Sequence, residues 1–133
     1  MSAERATYLD SSAIVKLAVM EPESVALRRY LRRRTPLVVS ALARTEVARA
    51  LLPLGPAAVD RGVEVLRRVE LLRISDRVLA EAGSLLPAEV RSLDAIHLAT
   101  MKQLGPSLRR LVTYDARMAA AATAMGIATH APA

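Results

Sequence analysis

The sequence predicts an α/β fold, a central and mostly parallel sheet with helices on both faces, built as one domain over residues 1–133. Three observations carry that prediction. Short apolar runs alternate with longer amphipathic ones, as in strand–helix–strand units. Gly and Pro punctuate the boundaries between them. No internal repeat or low-complexity linker divides the chain, whose 133 residues fit one domain.

The elements follow in order. Ala6–Leu9 reads as a strand ending at Asp10, and Ser11–Val19 as a short helix. Pro22 separates it from a helix over Glu23–Arg34, which Thr35-Pro36 stops because the residue before Pro disfavours the helical region. Leu37–Val39 is the second strand. Ser40 is a suitable N-cap for a helix through Leu52. After Gly55, Pro56 opens a helix over Ala57–Arg68, and Val69–Ile74 is a strand. Ser75-Asp76 caps a helix to about Leu86, interrupted by Pro87. Ser92 caps a helix through Leu104 that Gly105-Pro106 ends. Leu111–Tyr114 is a strand, Arg117–Met125 an Ala-rich helix closed by Gly126, and Ile127–Thr129 a last strand.

Hydrophobic residues make up 53% of the chain, yet Phe and Trp are absent, so Leu, Val, Ile, Ala and Met must fill the core. Without Cys there are neither disulfides nor thiolate metal sites. The opening MSAERATYLD has no apolar run like that of a signal peptide, and no stretch reaches the roughly 18 apolar residues of a membrane span. A cytoplasmic protein with no membrane partner is expected.

Four carboxylates stand in or beside apolar stretches: Asp10 in TYLDSSAIV, Glu46 in ARTEVARAL, Asp94 in SLDAIHLAT and Asp115 in LVTYDARMA. Burying a carboxylate costs several kcal/mol without compensation. Asp10 and Asp115 end strands and precede helices, which puts them at the edge where open α/β sheets bind ligands. Asp94 lies in the first turn of its helix, where it either serves the helix dipole or reaches the same edge. Glu46 reads as a mid-helix residue on a mixed face. Singly, each has an ordinary explanation as a cap or a solvated helix acid. Together they suggest one acidic pocket, the kind of oxygen donor set that Mg²⁺ or Mn²⁺ takes.

The formal net charge is +6, and setting those four acids aside leaves 19 basic against 9 acidic residues, or +10. Such a surface draws in phosphate backbones. With only Tyr8, Tyr30 and Tyr114 for stacking, contact with nucleic acid should run through backbone and shape.

YLDSSAIVKL, TEVARAL, LDAIHLAT and LVTYDARM, in that order and spanning nearly the whole chain, resemble the PIN-domain ribonucleases, and among them the VapC-type toxins of toxin–antitoxin pairs. The resemblance implies a PIN-like α/β domain and an Mg²⁺- or Mn²⁺-dependent endoribonuclease using water as nucleophile. Asp10, Glu46, Asp94 and Asp115 would be its catalytic acids. Asp10 and Asp94 would be the main metal ligands, with Glu46 and Asp115 acting directly or through metal-bound water. It also implies an RNA substrate, a cognate VapB-like antitoxin that covers the site, and a homodimer, or a heterotetramer or larger assembly with antitoxin.

Neighbouring residues divide between roles. Ser11 and Ser12 are candidates for bonding a carboxylate or a phosphate, and also for capping. Thr113 and Thr45 are candidates for orienting acids, and Arg117 for contacting phosphate or Asp115. His97, one turn beyond Asp94, reads as packed beside the site rather than as a general base. Arg28, Arg29 and Arg32–Arg34 form either a solvated helix face or an RNA track; Met101, Met118 and Met125 read as core. Three competing functions are an inactive PIN-like binding module, a receiver-like, Mg²⁺-dependent phosphoacceptor domain, and a phosphatase with an Asp nucleophile, against which Ser12 stands where that chemistry usually pairs a second Asp. The second is disfavoured because Asp10 has no paired acid and the only lysines, Lys16 and Lys102, fall on helices.

Overall fold

The structure, a computed structural model, describes residues 5–133. Five strands, β1 (Ala6–Leu9), β2 (Leu37–Ser40), β3 (Glu70–Leu72), β4 (Leu108–Val112) and β5 (Thr129–His130), form one sheet in the order β3-β2-β1-β4-β5. Every pairing is parallel. Seven α-helices among the described residues connect them: α1 (Ser11–Ala18), α2 (Ser24–Leu31), α3 (Ala43–Leu51), α4 (Pro56–Leu66), α5 (Asp76–Gly83), α6 (Ser92–Leu104) and α7 (Ala116–Ala124). α1 to α4 pack among themselves, and α6 packs against both α5 and α7, giving the two helical layers.

The central strand shows why this sheet is parallel and covered. All four residues of β1 are buried, as expected for a strand with helices on both faces. Tyr8, Leu9, Ile14, Leu27, Leu98 and Leu111 are fully buried in the core around it. Gly62 lets α4 lie close on α3, since a Cβ there would stand 2.7 Å from Leu51 Cδ1.

The sequence expectation holds for the element order, and the differences have local causes. α2 stops at Leu31 rather than Arg34, because Arg34 turns back to donate to the Tyr30 carbonyl (2.7 Å) and stack on the Tyr30 ring (3.8 Å). Ser40 is not the N-cap of α3. It is the last residue of β2, and its Oγ accepts from Leu42 N–H (3.1 Å) in a turn that delays the helix to Ala43. Ser92 is the first residue of α6, after Arg91 at the cap. β4 begins at Leu108, three residues earlier than expected. Leu108–Val112 includes two arginines, and Arg110 spans the surface to bond the Tyr30 hydroxyl (2.8 Å). β3 is limited to Glu70–Leu72, α5 ends at Gly83, and β5 lies at Thr129–His130 instead of Ile127–Thr129.

Candidate active site

The delayed start of α3 changes the meaning of Glu46. It lies in the first turn of its helix, not at mid-helix. All four acids therefore sit at helix N-termini: Asp10 and Asp115 as N-caps of α1 and α7, Glu46 and Asp94 in the first turns of α3 and α6. α1, α3 and α7 follow strands of one parallel sheet, so their starts share its carboxyl edge. The positive ends of helix dipoles offset part of the cost of gathering these charges.

Asp10, Ser11, Ser12, Glu46, Asp94, His97, Asp115 and Met118 line one pocket of about 70 Å³. A water molecule's share of liquid volume is about 30 Å³, so the pocket suits an ion with few waters rather than an organic ligand. A cleft of about 710 Å³ lies elsewhere, among Leu17, Arg28, Leu31, Arg32 and Arg68, and holds none of the four acids.

Asp10 is 4% exposed, and both of its carboxylate oxygens are hydrogen-bonded. Its Oδ1 accepts from Ser12 Oγ (2.6 Å) and Ala13 N–H (3.1 Å), and its Oδ2 from the Thr113 hydroxyl. Burial pushes its pKa up, and those three bonds oppose the rise without cancelling it. Ser12 and Thr113 also accept from the Tyr114 and Asp115 backbone N–H groups (2.9 and 3.0 Å). The two hydroxyls thus tie the end of β1 to the turn that presents Asp115. Asp115 itself is exposed and caps α7 by accepting from Arg117 and Met118 N–H (2.9 and 3.3 Å).

Glu46 Oε1 accepts from Ser11 Oγ (2.7 Å) and is bonded to His97 Nε2 (2.6 Å). Burial would raise Glu46, but the hydrogen bonds from His97 and Ser11 outweigh it, leaving its pKa below the ordinary carboxylate value. Asp94 moves the other way. Burial raises its pKa first, and the nearby charges of Asp115 and Glu46 add to the rise against Arg117. Its carboxylate has no hydrogen bond among the described residues.

An acid whose folded pKa is raised opposes folding fully above that pKa, and the burden disappears below its unfolded pKa. Metal-free Asp94→Asn is therefore expected to melt above wild type at neutral pH. The difference should close as pH falls through the ordinary carboxylate range, as thermal denaturation in chelator would record.

The structure brings Ser11, Ser12 and Thr113 onto the acids and sets Arg117 near Asp94. Thr45 is exposed and bonds none of them, so its expected role as an orienting group is withdrawn. Met101 and Met118 are buried, and Met125 packs partly buried on the core. Tyr8 is the residue that sequence reasoning missed. Its hydroxyl bonds His97 Nδ1 (2.6 Å), and the one available signal was its position two residues before Asp10, hence on the same strand face.

The donor set fits a hard divalent cation by its chemistry, carboxylate oxygens from four elements around an ion-sized pocket. No three of the described His, Asp or Glu side chains stand close enough to hold one ion as they are. The fit therefore rests on donor type and shared pocket, not on a preformed cage.

The fold and site define a class. The model of the PIN domain family matches residues 7–124, and the chain belongs to that family. It is 62% identical over 127 residues to Ribonuclease VapC46 of Mycobacterium tuberculosis, covering 96% of this chain and 98% of that protein. It is 40% identical over 129 residues to Ribonuclease VapC35 of the same species, covering 94% and 96%. Among solved structures it resembles the Mycobacterium tuberculosis VapC20 toxin, described as cleaving the sarcin–ricin loop, at TM-score 0.76 and 16% identity over 95% of this chain and 99% of that one. A toxin–antitoxin complex from Klebsiella pneumoniae matches at TM-score 0.68 and 20% identity over 86% and 90%. At those identities the solved structures bear on the fold alone.

Proposed function

We propose that this chain is an endoribonuclease that hydrolyses RNA phosphodiesters with Mg²⁺ or Mn²⁺ at the Asp10, Glu46, Asp94 and Asp115 pocket. It would act in the cytoplasm as a growth-inhibiting toxin neutralised by a VapB-like antitoxin. The observation that carries this is the convergence of four carboxylates from four helix starts on one ion-sized pocket, in a chain otherwise strongly basic. The ribonuclease relatives, 62% and 40% identical over nearly the whole chain, support the choice of reaction. None of the helices is long and apolar enough to cross a membrane among the described residues.

In this reading Asp10 and Asp94 are the principal metal ligands, with Glu46 and Asp115 completing the pocket. A bound divalent cation supplies a more acidic water and neutralises charge growing on the scissile phosphate. The chain's own groups do the holding. Ser12, Thr113 and the Ala13 N–H fix Asp10, and Ser11 with His97 fixes Glu46. Arg117, exposed and near enough for its charge to act on Asp94, would meet a phosphate. Exposed Leu52, Leu54, Leu79 and Leu86 offer apolar surface for a homodimer and for the antitoxin.

The test is to map the new 5′ ends in total RNA incubated with purified protein and Mg²⁺, against Asp10→Asn. Specific ends made by wild type alone support the reading, and identical profiles refute it.

RNA should be drawn in by the exposed arginines beyond α2. Arg34 is committed to Tyr30, so Arg32 and Arg33 are the free pair, both exposed. Arg32→Gln with Arg33→Gln is expected to flatten the salt dependence of RNA binding, by about 0.7 in the log–log slope for each phosphate that no longer meets a cationic side chain. An unaltered slope would return these residues to an ordinary solvated surface.

A further inference from the structure

A chain without Phe or Trp keeps a Tyr in the middle of its central strand, and that Tyr leads to the pocket. Tyr8 is 0% exposed and His97 2%, with their rings edge to face at 5.8 Å. The Tyr8 hydroxyl accepts from the Ser40 N–H at 3.1 Å, so its own proton is free for His97 Nδ1 at 2.6 Å. A neutral imidazole that accepts at Nδ1 carries its proton on Nε2. Nε2 lies 2.6 Å from Glu46 Oε1, which Ser11 Oγ also bonds. Oε2 of Glu46 has no hydrogen bond among the described residues.

We propose that Tyr8 and His97 form a buried relay that positions Glu46. Ser40 N–H donates to Tyr8, Tyr8 donates to His97 Nδ1, and His97 Nε2–H holds Glu46 Oε1, which leaves Oε2 for a divalent cation. The inference rests on the metal-dependent reading of the pocket. His97 is a positioning residue and not a general base, because both ring nitrogens are engaged and the ring is closed to solvent. The relay joins β2, β1, α6 and α3, so the direction of one carboxylate is set from inside the core. Ser11 reaches the same oxygen from α1, so both donors leave the same oxygen free.

The proton arrangement is read first, in ¹⁵N-labelled metal-free protein, from the ring nitrogen shifts of His97. The expected result is a neutral ring with bare Nδ1 and protonated Nε2, a preference that weakens in Tyr8→Phe. A proton on Nδ1 of the wild type would overturn the relay.

Mn²⁺ alone is then titrated into each variant and followed by electron paramagnetic resonance. Loss of a group that orients a ligand commonly costs about 10–100-fold in metal affinity. His97→Ala is expected to fall in that range, and Tyr8→Phe near its lower end. His97→Gln, whose amide can still donate to Glu46, should recover most of the affinity and no longer respond to Tyr8→Phe. Equal losses in His97→Gln and His97→Ala would overturn the relay, and so would unchanged affinity in His97→Ala. If the wild type takes up no Mn²⁺, the functional reading and the relay both fall. Normal wild-type uptake with an indifferent His97→Ala removes the relay alone.

Discussion

Asp10→Asn is expected to lower RNA cleavage by about 1,000-fold or more, equivalent to roughly 4 kcal/mol of transition-state stabilisation. The substitution removes a charge while keeping the shape. Asn can still accept from Ala13 N–H at the start of α1, and its amide can donate to Thr113, which accepts from Asp115 N–H already. The fold should therefore survive, and circular dichroism together with the melting temperature checks that. The carboxylate is a different matter. Asp10 is the most buried of the four acids, and an amide in its place offers a cation no negative charge. Cleavage that persists within tenfold of wild type would remove Asp10 from the catalytic set.

Chelation is expected to have a comparable effect. In excess EDTA, cleavage should drop to the level of Asp10→Asn, and added Mg²⁺ or Mn²⁺ should restore it. The physical reason lies in the charges of the pocket. Asp94 is pushed up by burial and by its acidic neighbours Asp115 and Glu46, so the bare pocket resists full ionisation. A phosphodiester approaching it meets the same repulsion. A divalent cation removes both costs at once. Full cleavage in EDTA would refute the metal-dependent mechanism and leave the four acids to be explained as caps and first-turn helix acids.

The legibility of this chain in its sequence was uneven for physical reasons. Asp10 and Asp115 were readable because an apolar strand running into a polar residue and then a helix is a local pattern. The all-buried β1 was readable for the same reason. Glu46 was misplaced because Ser40 has the chemistry of a helix cap but spends its hydroxyl on the turn at Leu42. Two residues of delay, from Ser40 to Leu42 at the N-cap, separate a mid-helix acid from one at the pocket. β4 was set too late because Arg109 and Arg110 break its apolar pattern, although a long side chain can lie along a sheet and carry its charge outward. The Tyr8–His97 contact joins residues 89 apart in sequence, and no single-chain periodicity reports such a pairing.

Pairing of β1 with β4 has a consequence for synthesis. Leu9 lies beside Val112, and Asp10 N–H donates to the Val112 carbonyl (3.3 Å), so β1 is completed by a strand synthesised much later, after β2 and β3. A nascent chain that has exposed Asp10, Glu46 and even Asp94 still lacks the strand that carries Thr113 and Asp115 into place. The pocket is complete only once β4 and the residues through Asp115 have been made. Until then Asp10, Glu46 and Asp94 belong to elements that the missing strand has not yet joined.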